Sequence, residues 1–135
     1  MGKEKSHNSG NWTVARFNSF IKGGLRQMSH RWPPKHEVKK AARRERGVYL
    51  CAGYKCRKHK VPVTIIDKKN TKYRPTGQRI NNIFVDHIVP VIDPEKGFVS
   101  WDAIVERMFC EADGLQVLCR KCHSLKTKDE RAMKK

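Results

Sequence analysis

Two short cysteine pairs constrain this chain more than any other feature. Cys51-x4-Cys56 and Cys119-x2-Cys122 are separated by a long insert, the arrangement in which two knuckles close one tetrahedral thiolate site. Four thiolates fill the tetrahedron and leave no position for water, so the spacing predicts a structural zinc ion on Cys51, Cys56, Cys119 and Cys122. Such a site ties the segment after the second predicted helix to the C-terminal strand and helix. Five cysteines cannot all pair within one chain, and a reducing compartment disfavours disulfides in any case. Cys110 is left over and reads as a small buried hydrophobe. His59 can in principle replace a cysteine but reads better as a surface histidine.

Charge narrows the function classes. The 135 residues carry 30 Lys+Arg against 13 Asp+Glu, a formal net charge of +17, which points to a polyanionic partner. The first 60 residues hold 16 basic and 3 acidic side chains, so the N-terminal half is the expected phosphate-gripping surface. No apolar run approaches the roughly 18 residues needed to cross a bilayer, and the start leads into no hydrophobic signal segment. A cytosolic protein that binds no membrane is the expectation.

Along the chain, residues 1–12 read as a disordered basic N-terminus. Val14, Phe17, Ile21, Leu25, Met28 and Trp32 recur at helical spacing, and Gly23-Gly24 could bend that helix. Pro33-Pro34 closes the segment and suits the first turn of a second helix, predicted from about Lys35 to Arg46 and stopped by Gly47. Residues 13–47 thus form a basic helical region in which Arg43, Arg44 and Arg46 face the negative end of the helix dipole or a phosphate backbone. Residues 48–135 form the core. Val48 to Cys51 and Val61 to Ile66 read as strands, and Asp67 to Arg79 as a basic loop. Ile83-Phe84-Val85 is a strand that delivers Asp86-His87. A short helix from Ser100 to Phe109, a strand at Leu115 to Leu118 and a final helix from Arg120 to Met133 follow.

Asp86-His87 at a strand end and His123 beside the second cysteine pair form the candidate catalytic set. Phosphodiester hydrolysis needs a deprotonated nucleophile near an anion and a stabilised leaving oxygen. One divalent cation and one neutral imidazole supply both. Asp86 and His123 can hold the cation, and His87 can take the proton from water.

The run Val85-Asp86-His87-Ile88-Val89-Pro90, followed by Leu115-Gln116-Val117-Leu118-Cys119-Arg120-Lys121-Cys122-His123-Ser124-Leu125-Lys126-Thr127, resembles the HNH endonuclease family in its four-cysteine zinc variant, above all small phage-encoded members. The resemblance spans roughly residues 48–130, and Leu25-Arg26 with Arg31-Trp32-Pro33-Pro34 resembles the helical region upstream. It implies an α+β fold: a ββα-metal core stapled by zinc behind a basic helical region. It also implies Asp86 and His123 as ligands of Mg²⁺ or Mn²⁺, and His87 as general base. DNA would be the substrate, with Arg43, Arg44, Arg46 and Lys121 expected to contact it. The setting would be the cytoplasm of a bacterial host, with phage packaging proteins as candidate partners. One departure stands out: the family's middle asparagine falls at Gly114, which has no side-chain amide, and Asp113 can accept but not donate. A zinc-stabilised DNA-binding module with an inactive site is therefore a competing expectation. A zinc adaptor for a protein partner explains the cysteines but neither the charge nor the Asp-His pair.

Overall fold

The computed structural model describes residues 3 to 134, and the chain divides after Trp32 into two compact units. In the first, residues 7–12 of the stretch expected to be disordered form a turn held on the helix that follows. His7 and Trp12 exchange backbone hydrogen bonds of 3.1 and 2.9 Å across a turn in which Asn8, Ser9 and Gly10 adopt positive φ. His7 stacks on Phe17 with ring centroids 4.3 Å apart, and Trp12 meets Phe20 edge-on at 5.3 Å. Aromatic contact back onto the helix explains the order. Only Met1 and Gly2 of the predicted disordered segment lie outside the described residues. Helix α1 (Val14–Ser29) follows, with Thr13 as N-cap accepting from the Arg16 amide at 3.2 Å. Gly23 and Gly24 do not interrupt it.

In the second unit, helix α2 (Pro33–Ala42) starts on the proline pair, whose missing donors cost nothing in a first turn. It ends four residues earlier than Arg46. Arg43, Arg44 and Glu45 form the exposed edge strand β1 (Arg43–Glu45), which pairs antiparallel with β2 (Val48–Cys51) through an irregularity between Arg43 and Glu45. Gly47 stands in the turn at φ 76, so it closes a hairpin rather than a helix. Arg43 and Arg44, expected on a helix end, therefore stand on a sheet edge and Arg46 in the turn beside it, because β2 offers unpaired backbone groups that a further strand satisfies. Helix α2 belongs to the second unit: it packs on β2, on the last two strands and on the 3₁₀ turn, with Val38 and Ala42 against the core. The boundary after residue 47 moves to Trp32.

Strand β3 (His59–Pro62) completes a sheet of order β1-β2-β3. Strands β4 (Thr64–Asp67) and β5 (Gln78–Asn81) make a separate hairpin. The single β-rich run expected from Val61 to Ile66 is thus broken at Val63, whose amide bonds the Gly47 carbonyl at 2.9 Å. Strand β6 (Ile83–His87) pairs antiparallel with β7 (Leu115–Cys119), Ile83 opposite Cys119 and His87 opposite Leu115. Between them lie α3 (Trp101–Met108), with Ser100 Oγ accepting from the Ala103 amide at 3.1 Å, and the 3₁₀ turn Ala112–Gly114. Helix α4 (Arg120–Ala132) leaves directly from β7.

The start of α4 is pinned by the buried Asn82. Its carbonyl accepts from the Arg120 amide at 2.9 Å, and its side chain donates to the Pro62 carbonyl at 2.8 Å. The main core cluster comprises Cys51, Val61, Ile83, Val117, Leu118, Cys119 and Cys122. Three of these seven are cysteines, so a fold this small relies on what holds its sulfurs together. Each fully buried aliphatic such as Leu118 or Ile104 contributes only about 1.5–3 kcal/mol. The architecture is mixed α and β with small sheets.

Candidate metal centre and active site

Cys51, His59, Cys119 and Cys122 bring their ligand atoms within 4.8 Å of one another, a group that could hold a metal ion. Each member has a structural reason for its position. Cys51 ends β2 fully buried, and its sulfur accepts from the amides of Cys119 at 3.2 Å and Gly53 at 3.4 Å. Gly53 sits at φ 83, where a Cβ would lie 2.5 Å from the Cys56 carbonyl oxygen; only glycine allows this tight knuckle. Cys119 ends β7, opposite Ile83, and Cys122 occupies the first turn of α4.

His59, read from sequence as a surface side chain, is instead half-buried beside the sulfurs. Its Nδ1 bonds the Arg57 carbonyl at 2.8 Å. A carbonyl only accepts, so Nδ1 carries the proton and Nε2 presents its lone pair, 3.7 Å from Cys119 Sγ. That is the tautomer a metal-binding imidazole needs. Cys56 is exposed and stands 3.7 Å from Cys122 Sγ, at the margin of the cluster. The signal for His59 was its place eight residues after Cys51 on the strand facing β2; the register Cys51 opposite His59 makes them neighbours.

The electrostatics suit a cation. Burial pushes the Cys122 thiol up. Cys119 goes the other way, down to about 7, because the hydrogen bond from the Cys122 amide and the contacts with His59 and its fellow sulfurs outweigh burial. Without a cation the cluster favours ionisation at Cys119 over Cys122; a bound dication would favour the thiolate form of its sulfur ligands.

The second polar centre stands toward the other end of the β6–β7 pair. Asp86 and His123 come together, with Asp86 Oδ1 3.8 Å from His123 Nε2. The His123 ring stacks on Phe84 at 4.9 Å, which lies two residues before Asp86 and so on the same strand face. Asp86 Oδ2 accepts from Gln116 Nε2 at 3.0 Å across the strands and from Lys126 Nζ at 2.5 Å.

His87 does not join this pair. Successive strand residues project to opposite faces, and its Nε2 meets the carbonyl of Met108, the last residue of α3, at 2.9 Å. A helix end leaves such carbonyls unpaired. Since that carbonyl only accepts, Nε2 carries the proton and Nδ1 is the basic nitrogen. Burial, reinforced by the charges of Lys35 and Lys126, outweighs the Met108 bond and Asp86 and lowers the His87 pKa, so the ring is neutral at pH 7.

Gly114 closes the 3₁₀ turn, and its carbonyl accepts from the Ile88 amide at 3.0 Å. A Cβ there would lie 2.9 Å from Cys110 Sγ. The cysteine side chain fills the space that a larger residue at 114 would need. Arg43, Arg44, Arg46 and Lys121 are all exposed; Arg44 Nη1 donates to the Ala41 carbonyl at 2.9 Å. Among the described residues, no helix is long and apolar enough to cross a membrane. Compared with known proteins, the chain matches no family model, no curated protein and no solved structure.

Proposed function

We propose that the protein is a metal-dependent DNA endonuclease of the HNH type, its β6, β7 and α4 forming the ββα-metal core and zinc occupying the sulfur and imidazole cluster. The observation that carries this reading is the Asp86–His123 pair. A hard oxygen and an imidazole nitrogen 3.8 Å apart lie between the about 3.0 Å and about 4.2 Å that right-angled and opposite bonds of about 2.1 Å give, within reach of one small cation. Zinc fits the other cluster: tetrahedral bonds of about 2.3 Å to sulfur and about 2.0 Å to nitrogen separate the two donors by about 3.5 Å, against the 3.7 Å contact of Cys119 Sγ with His59 Nε2.

Asp86 and His123 would hold Mg²⁺ or Mn²⁺, which would supply charge neutralisation for the phosphate and the leaving oxygen. The chain supplies the rest. His87, neutral and protonated on Nε2, offers Nδ1 as general base for water, and the Met108 carbonyl stabilises the imidazolium that results. The net charge of +17 draws DNA to the exposed Arg43, Arg44, Arg46 and Lys121. Phosphate contacts of this kind fix position without reading sequence.

Two observations favour a second reading, a zinc-stabilised module that binds DNA without cutting it. The His87 ring turns to the opposite strand face from Asp86, and Cys110 fills the space beside Gly114. Supercoiled plasmid incubated with the purified protein, with and without Mg²⁺, Mn²⁺ and chelator, decides between them. Cation-dependent nicking is the expected result. Salt-sensitive binding with no cleavage under any cation gives the second reading.

A further inference from the structure

Lys126 is a charged side chain in the interior, only 8% exposed. It stands one turn after Cys122 on the buried face of α4. All three ammonium protons are used: Nζ donates to Asp86 Oδ2 at 2.5 Å, to the His87 carbonyl at 2.5 Å and to the Ile88 carbonyl at 3.3 Å. Glu130 Oε1 lies 3.6 Å away. With Gln116 Nε2 at 3.0 Å on the same carboxylate oxygen, both lone pairs of Oδ2 are occupied. Oδ1 alone remains, and it faces His123 Nε2.

We propose that Lys126 is a positioning residue that makes Asp86 a one-oxygen ligand, so that the site selects a small, octahedral divalent cation held through Asp86 Oδ1 and His123 Nε2. The inference rests on one part of the proposed function, the Asp86–His123 pair as a cation site. A carboxylate free to offer both oxygens suits Ca²⁺, which accepts bidentate ligands in flexible geometry. Mg²⁺ and Mn²⁺ suit a single oxygen in a fixed direction. Lys126 also subtracts one charge from the site, which keeps cation binding weak.

The two effects make a signed prediction. Lys126→Gln frees Oδ2 and removes a positive charge beside the cation, so Mn²⁺ affinity should rise about tenfold and Ca²⁺ should begin to compete. Lys126→Arg keeps the charge, but its planar fork can take both carboxylate oxygens, so Mn²⁺ affinity should fall about tenfold by competition for Oδ1. A lysine that only braced the fold would weaken binding in both variants. The measurement is Mn²⁺ uptake by the zinc-loaded full chain, read from loss of the free-ion electron paramagnetic resonance signal and repeated with Ca²⁺ as competitor.

Shifts of the same sign in the two variants, or no shift in either, overturn the inference. Should Lys126→Gln lose its fold by circular dichroism, Lys126→Arg decides alone: wild-type Mn²⁺ affinity in that variant overturns it. Wild-type protein that takes up no Mn²⁺ sinks the cation site and this inference together. Opposite shifts in a chain that never nicks plasmid leave the inference standing and remove only the nuclease reading.

Discussion

The two polar centres of the second unit lie along one pair of strands and are built in opposite ways. Around Cys119 the donors are soft, mostly buried and supplied by three stretches of chain that span four elements: the end of β2, β3, and the junction where β7 runs into α4. Around Asp86 the donors are an oxygen and an imidazole nitrogen, one of them is well exposed, and a lysine already occupies one oxygen of the carboxylate. The first has the character of a staple, since removing it would release four elements at once. The second has the character of a site with an opening, since His123 keeps 38% of its side-chain surface in solvent. The difference teaches that metal-binding geometry alone does not define a role; which elements the ligands join, and what else saturates them, does.

The comparison breaks most visibly at Cys119. Cys119→Ser should abolish cooperative unfolding and zinc retention together, because metal-binding energy in such a site is folding energy. Retention of a native circular dichroism spectrum without metal would remove the staple. At the other centre, His87→Ala should lower plasmid cleavage by about 10² to 10⁴ while leaving Mn²⁺ binding intact. Asp86→Ala or His123→Ala should weaken binding and cleavage in parallel. Wild-type cleavage by the His87 variant under matched metal and salt denies it the role of base.

The staple's own membership gives the third test. As a direct ligand, His59 replaced by Ala should cost more zinc affinity than the about 10 to 100-fold typical of an outer partner. Cys56→Ser should stay within that range. The reverse ranking would restore Cys56 to the tetrahedron and make His59 the bystander.

Much of this layout is legible in the sequence. The extents of α1, α3, β6, β7 and α4 follow from apolar spacing and from caps such as Ser100, signals carried by neighbouring residues. Three of the four clustered metal-binding side chains follow from cysteine spacing. The remainder depends on pairing between distant segments. Arg43 to Glu45 carry helix-compatible side chains, and only the demand of β2 for a partner turns them into a strand. His59 becomes a neighbour of Cys51 through a register that no local pattern encodes. Sequence proximity suggests that Asp86 and His87 converge together on His123, but strand alternation divides them.

Gly114 gives a fourth test, with a smaller effect. An asparagine there meets Cys110, so Gly114→Asn alone should destabilise the chain by about 1–3 kcal/mol through overpacking, and adding Cys110→Ala should recover much of that stability in thermal melts. Equal melting points for the single and double variants would show that the Cys110 side chain yields freely. The smallest effect belongs to the basic surface. Neutralising Arg43, Arg44 and Arg46 together should flatten the log-log salt dependence of DNA binding by about 0.9 for each phosphate left without its arginine, and an unchanged slope assigns these arginines to solubility.

Cys122 and Lys126 share the buried face of α4 at a spacing of four residues. Helical geometry makes that spacing a phase relation: each residue advances the direction of projection by about 100°, so four return it nearly to its starting bearing. One residue inserted between them would leave the sulfur cluster intact and swing the ammonium about 100° away from Asp86. One removed would do the same in the opposite sense. The loop between β4 and β5 can change length without touching either centre. This single helical turn cannot, and it works as the gauge that sets one polar centre by the other.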